Sequence, residues 1–183
     1  SGATPIAHDW LMVNLVDALP EDAIVVNEGL TTAGHLLSLL PYRDRYGFHG
    51  NASGGIGWGL PAAIGIQFAH PTRPVVAVIG DGSAMYSIQA LWTAAAQDLP
   101  VTFVIANNKG YRILKQRLRA FHGSEAYIGM DFDKPELNFT AMAGSMGVSA
   151  ERIQEPDAIR PALDAAIASS GPTLLEIMVD GTV

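Results

Sequence analysis

Apolar positions along this chain form short runs and helical stripes that alternate regularly. Met12, Leu15, Val16 and Leu19 recur at the i, i+3, i+4, i+7 spacing of an amphipathic helix, which predicts a helix over 9–19 capped by Asp9. Near-continuous apolar runs at 23–26, 75–79, 101–106 and 173–179 read as buried strands, with a further strand at 148–153. Between them the pattern predicts helices over 31–40, 57–69, 83–97, 111–120, 139–146 and 157–169, and an irregular stretch over 121–135. Trp92, on the helix that opens at Ser83, reads as a core residue. Strands that are apolar throughout, each followed by a helix, imply a parallel sheet covered on both faces. The predicted fold is a doubly wound α/β sheet in one domain over 1–183, with no repeat, low-complexity segment or internal linker.

Composition narrows the function classes. With 49% apolar and 16% charged residues, the 183-residue chain has the balance of a globular domain with a sizeable core. The net charge of −7 and the scattered Lys and Arg argue against a nucleic-acid surface. There is no cysteine, so neither a disulfide nor a thiolate can be invoked. No apolar run approaches the ~20 residues of a membrane span, and no signal peptide is visible, which gives a cytoplasmic expectation. The opening Ser1-Gly2-Ala3-Thr4 lacks a methionine and reads as a processed or excised piece.

Chemistry-bearing residues gather at the predicted carboxyl ends of strands, where ligands bind in such sheets. One strand ends in Asn27-Glu28-Gly29-Leu30-Thr31-Thr32, one in Gly80-Asp81-Gly82-Ser83, and one in Asn107-Asn108-Lys109-Gly110-Tyr111. Asp81 and Asn108 lie 27 positions apart, one βαβ unit, so they end neighbouring parallel strands and can converge. A carboxylate oxygen with an amide oxygen suits a hard cation, Mg²⁺ or Ca²⁺, which commonly completes its shell with phosphate oxygens and water. Ser83 can donate its hydroxyl and N–H to those phosphates. Each half alone reads as a plain turn or loop; the pairing carries the signal.

Gly80-Asp81-Gly82 followed one unit later by Asn107-Asn108 resembles the cofactor and metal motif of thiamine-diphosphate enzymes. Nearly the whole chain is similar to the C-terminal, diphosphate-binding domain of the 2-oxo-acid decarboxylase and acetolactate-synthase superfamily. The segments 53–65 (Ser-Gly-Gly-Ile-Gly-Trp-Gly-Leu-Pro-Ala-Ala-Ile-Gly) and 90–95 read much as those of benzoylformate decarboxylases. The resemblance implies that Asp81 and Asn108 give side-chain oxygens to Mg²⁺ and Gly110 its carbonyl. It implies that Thr31, Thr32, Gly82 and Ser83 hold the diphosphate and that the Gly54 carbonyl bonds the aminopyrimidine. Ile56 stands where the family bends the cofactor with a bulky apolar residue, and Tyr111 matches the tyrosine after the metal carbonyl.

By the same resemblance the substrate is a 2-oxo acid with an aromatic side group, decarboxylated non-oxidatively. An acetolactate-synthase-like carboligase and a catalytically silent binding domain are alternatives. A glutamate of a separate pyrimidine-binding domain, from the partner subunit of a homodimer or homotetramer, protonates the aminopyrimidine in the family. Glu21, Glu28, Glu125, Glu136, Glu151, Glu155 and Glu176 lie in no segment resembling that domain. No catalytic acid or base is therefore assigned to this chain, which is expected to be the C-terminal part of a three-domain enzyme. The sequence departs from the family at Arg112, often a glycine, and at Ile113 and Arg117, which have no familiar counterpart.

A nicotinamide dinucleotide fold is the rival. Gly57-Trp58-Gly59-Leu60-Pro61-Ala62 fits Gly-x-Gly-x-x-Ala, with Asp81 following where a ribose-binding acid belongs. Against it, 45–55 lacks a compact apolar strand, and the fingerprint explains neither Gly82-Ser83 nor Asn107-Asn108. Glu28 reads either as a cofactor-edge residue or as a cap of the next helix, and His49 as facing substrate or, more simply, as structural. Arg112, Lys115, Arg117 and Arg119 read as a solvated or subunit-facing helix side.

Overall fold

The computed structural model describes residues 4–183; the opening Ser1-Gly2-Ala3 lies outside them. The helices are α1 (His8–Ala18), α2 (Ala33–Leu39), α3 (Gly59–Ala69), α4 (Asp81–Ala84), α5 (Ala90–Ala96), α6 (Arg112–His122), α7 (Phe139–Ser145) and α8 (Ile159–Ile167). The strands are β1 (Ile24–Glu28), β2 (Phe48–Gly50), β3 (Val75–Gly80), β4 (Val101–Asn107), β5 (Ser149–Ile153) and β6 (Thr173–Met178). All strand pairs are parallel, in the order β2-β1-β3-β4-β6-β5.

Strand alternation sends successive side chains to opposite faces, and each face has its own core. Val76 and Val78 pack with Leu11, Met12 and Leu15 of α1, Leu36 of α2 and Leu163 of α8. Val75, Ala77 and Ile79 pack with Leu60 and Ile64 of α3, Leu91 of α5 and Phe139 of α7. This is the doubly wound sheet that the sequence predicts. From β1 the chain goes outward to β2 and then returns to β3 on the other side of β1. The crevice therefore opens between the ends of β1 and β3.

Four local expectations are corrected. Ala7, not Asp9, is the N-cap of α1, because the chain is already helical from His8; Asp9 sits in the first turn and pairs with His35 Nδ1 at 2.7 Å. The helix expected over 83–97 is split into α4 and α5. Tyr86, Ser87, Ala90, Leu91 and Trp92 each donate their N–H to the carbonyl three residues back, a 3₁₀-like tightening that periodicity cannot distinguish from an α-helix. With α5 restarting at Ala90, Leu91 and Ala94 face the core and Trp92 stands 63% exposed, outside it. Finally, 45–55 does contain a strand, β2, too short and too polar to register as an apolar run.

The irregular stretch after α6 has a definite course. Gly123, in the left-handed region at φ +62°, ends α6. The chain then returns to the β4 end, where Met130 O accepts the N–H of Tyr111 and Phe132 N donates to Lys109 O, both at 2.9 Å. Among the described residues, no helix is long and apolar enough to cross a membrane.

Candidate active site

A cleft of about 810 Å³ opens at the carboxyl ends of β1, β3 and β4. Every sequence-predicted site residue lines it: Thr31, Thr32, Gly54, Ile56, Asp81, Gly82, Ser83, Asn108, Gly110 and Tyr111. Leu30, Leu37, Phe48, Ile113 and Leu114 make much of the remaining wall apolar, and Arg112 is the cation among the lining residues.

Asp81 is held at the end of β3 by backbone donors. Its Oδ1 accepts Gly82 N at 2.8 Å; its Oδ2 accepts Asn108 N at 3.1 Å and Gly110 N at 3.0 Å. Burial nevertheless pushes the carboxyl up to about 6, because desolvation outweighs these hydrogen bonds. Beside it, Asn108 Oδ1 and Ser83 Oγ are buried without a hydrogen-bond partner. Buried polar atoms left unpaired are costly and rare. An acid whose charged form burial disfavours, next to two unused oxygens, is what a cation and its anionic ligand would satisfy. The residues present thus fit Mg²⁺ and a diphosphate. Among the described residues no three His, Cys, Asp or Glu converge, so a cation here relies on carboxylate, amide and carbonyl oxygens.

The glycines serve close approach. A Cβ on Gly82 would lie 2.6 Å from the Tyr111 ring, which packs edge-on against Phe132 with centroids 4.7 Å apart. A Cβ on Gly110 would strike the Met130 carbonyl. Tyr111 centres an inverse γ-turn at φ −79°, ψ 64°, in which Gly110 O accepts Arg112 N at 2.9 Å and keeps one lone pair. Thr32 donates both its N–H and its hydroxyl to Gly29 O, at 2.9 and 2.6 Å. Gly54, at φ +72°, belongs to a turn wound on Asn51 Oδ1, which accepts Ser53 N and Gly54 N at 3.1 Å each. Ile56 follows it, 38% exposed towards the cleft.

Glu28 caps α3, not the next helix. Its carboxylate accepts Gly57 N at 2.7 Å and Trp58 N at 3.2 Å on Oε1, and Gly59 N at 2.6 Å on Oε2. The glycine fingerprint of the rival reading is therefore filled by the chain's own carboxylate, and a dinucleotide pyrophosphate has no free amides there. A Cβ on Gly59 would strike Ile79 Cδ1 and lie 2.8 Å from Glu28 Oε2, so the second glycine serves strand–helix packing. His49 does not line the cleft, although Phe48 and Gly50 on either side of it do; its Nε2 is buried and unpaired on the other face of β2. Arg117 is exposed outside the cleft, while α6 has no buried residue and Arg112 Nε donates to Thr182 O at 2.7 Å. Sequence reasoning missed Glu176 and Arg152, which support the β4 end; the available signal was a charge inside an otherwise apolar strand.

Fold and cleft together define a doubly wound α/β domain of the cofactor-binding kind, with its cleft at the switch point. The chain belongs to the family described as "Thiamine pyrophosphate enzyme, C-terminal TPP binding domain", which matches residues 31–177. It is 38% identical over 165 residues to benzoylformate decarboxylase of Pseudomonas aeruginosa, covering 90% of this chain and 31% of that protein. It is equally, 38%, identical over 126 residues to the acetolactate synthase large subunit of Parasynechococcus marenigrum, covering 69% and 20%. The solved structure of the thiamine diphosphate-dependent 4-hydroxybenzoylformate decarboxylase of Rhodococcus jostii RHA1 superposes with a TM-score of 0.89 at 35% identity, over 95% of this chain and 32% of that one. The chain spans about a third of the length of such relatives.

Proposed function

We propose that this chain holds the diphosphate of thiamine diphosphate through Mg²⁺, as the C-terminal domain of a cytoplasmic, non-oxidative decarboxylase of an aromatic 2-oxo acid. The observation that carries the reading is the pair of buried, unpartnered oxygens, Asn108 Oδ1 and Ser83 Oγ, beside Asp81. In this reading Asp81, Asn108 and the Gly110 carbonyl would hold the metal, and Thr31 and Ser83 would meet the phosphates. Thr32 and Gly82, expected to do the same, have their donors spent on Gly29 O and Asp81 Oδ1 and shape the cradle instead. Asp81 is the anionic ligand, and a bound cation keeps it ionised by replacing the solvation that burial removed. Ile56 would support the middle of the cofactor, Gly54 O would receive the aminopyrimidine, and Tyr111 would line the diphosphate end. When bound, the cofactor supplies the carbon nucleophile and electron sink of the reaction. The chain's own residues bind it, orient it and wall it from water. The acid that activates it comes from the pyrimidine-binding domain of a partner subunit in a homodimer or homotetramer.

The apolar wall of Leu30, Phe48, Ile113 and Leu114 favours an aromatic side group, as do the activities for which the decarboxylase relatives are named. Carboligation is the alternative, favoured by the equal identity to acetolactate synthase. One assay separates them: the full-length protein with thiamine diphosphate and Mg²⁺, given benzoylformate or pyruvate. Benzaldehyde release supports the decarboxylase; acetolactate from pyruvate, with benzoylformate untouched, supports the carboligase.

A further inference from the structure

Glu176 is fully buried in β6, among residues that are otherwise apolar or small. A charge so placed is stable only with partners, and it has them. Arg152 of β5 grips it with both prongs, Nε to Oε2 and Nη2 to Oε1, each at 3.0 Å. Asn107, buried at the end of β4, donates Nδ2 to Glu176 Oε1 at 2.7 Å. The other end of that amide acts on the cleft, since Asn107 Oδ1 accepts Lys109 N at 2.9 Å.

Lys109 stands in the left-handed region at φ +61°, a conformation that a residue with a Cβ adopts only when its surroundings impose it. The same arginine reaches Lys109 by a second route: Arg152 Nη1 donates to Glu136 Oε1 at 3.1 Å, and Glu136 Oε2 pairs with Lys109 Nζ at 3.4 Å. Backbone and side chain of Lys109 are thus both tied back to Arg152. The reversal at Lys109 is what turns Asn108 N and Gly110 N onto the one Asp81 oxygen.

We infer that Arg152, Glu176 and Asn107 are positioning residues for the metal centre, fixing the Asn108 amide oxygen and the Gly110 carbonyl against Asp81. This rests on the reading of Asp81, Asn108 and Gly110 as Mg²⁺ ligands. Partners of that kind around a metal site are worth ~10–100-fold in metal affinity. Asn107→Ala removes both amide bonds and leaves the Arg152–Glu176 pair whole; Arg152→Lys keeps the charge and loses the fork.

The test titrates Mg²⁺ into the full-length protein with thiamine diphosphate by calorimetry, and records the electron paramagnetic resonance spectrum with Mn²⁺ in its place. Asn107→Ala is expected to weaken Mg²⁺ binding ~10–100-fold and to broaden the Mn²⁺ spectrum, with Arg152→Lys between it and wild type. A merely structural role would lower the melting temperature and leave both readouts unchanged. Should Asn107→Ala not fold, Arg152→Lys decides alone. Mg²⁺ affinity within twofold of wild type in folded variants overturns the inference and leaves the site reading standing. A wild-type protein that takes up no Mg²⁺ with thiamine diphosphate overturns the site reading, and the inference with it.

Discussion

Two glycine-flanked turns are wound on carboxylates that line the same cleft, Glu28 and Asp81, and they are finished in opposite ways. At the start of α3, the amides of Gly57, Trp58 and Gly59 all point at the Glu28 carboxylate, which is almost wholly buried. After β3, the turn of Gly80, Asp81, Gly82 and Ser83 keeps two unspent oxygens, Ser83 Oγ and the neighbouring Asn108 Oδ1. The α3 turn is the closer match to a nucleotide motif in sequence, yet it is closed. The β3 turn has the sequence of an ordinary reversal, yet it is open. A glycine pattern shows where backbone can approach an anion; only the inventory of satisfied groups shows whether the anion is already supplied by the chain.

The contrast can be broken most severely at the open turn. Asp81→Asn keeps the side-chain shape and one acceptor oxygen, but sets an NH₂ group against backbone N–H donors at the other. It removes the charge, and should weaken Mg²⁺-dependent thiamine diphosphate binding by more than ~100-fold. Calorimetry reads it, and circular dichroism should report an intact fold. At the closed turn, Glu28→Ala leaves three amides unsatisfied and should cost about 3 kcal/mol of stability, measured by urea unfolding. Sulfate should then raise the melting temperature of Glu28→Ala more than that of wild type, because the helix N-terminus has been reopened. Ser83→Ala sharpens the comparison: cofactor affinity should fall about tenfold, the scale of one hydrogen bond to a charged group, with stability held or slightly raised.

The smallest effect is in pH. A carboxyl pushed up to about 6 in the folded, metal-free protein keeps its proton where the unfolded chain, near 3.8, has released it. Its contribution to stability is therefore fully present below pH ~4 and is lost as pH rises towards 6. With Mg²⁺ and cofactor the sense reverses, since binding needs the ionised form. The thermal shift given by Mg²⁺ and thiamine diphosphate should shrink below pH 6, and Asp81→Asn should flatten both dependences.

The architecture was legible because each strand from β3 onward is either apolar throughout or bounded by turn residues, and because Asp81 and Asn108 end adjacent strands one unit apart. The short edge strand β2 was not, since Phe48, His49 and Gly50 bury too little to leave a pattern. The break between α4 and α5 hid because tightened turns keep side chains on nearly the same faces as a helix. That break also limits one expectation: Ser83 lies in a helix of four residues, too short for an appreciable dipole, so its hydroxyl and not a helix terminus is what it offers. The supports of the site are long-range. Glu28 meets Gly59 across 31 positions, and Glu176 meets Asn107 across 69; local sequence carries no trace of either pairing beyond a charge in an apolar setting.

The most direct test is a crystal structure of the full-length protein with Mg²⁺ and thiamine diphosphate. The predicted result places the metal ~2.0–2.1 Å from Asp81 and Asn108 oxygens, with a phosphate on Ser83 and the Glu28 bonds to Gly57, Trp58 and Gly59 unbroken. Phosphates seated on the Gly57–Gly59 amides with Glu28 displaced, or a diphosphate bound with Asp81 and Asn108 free of metal, would contradict the account.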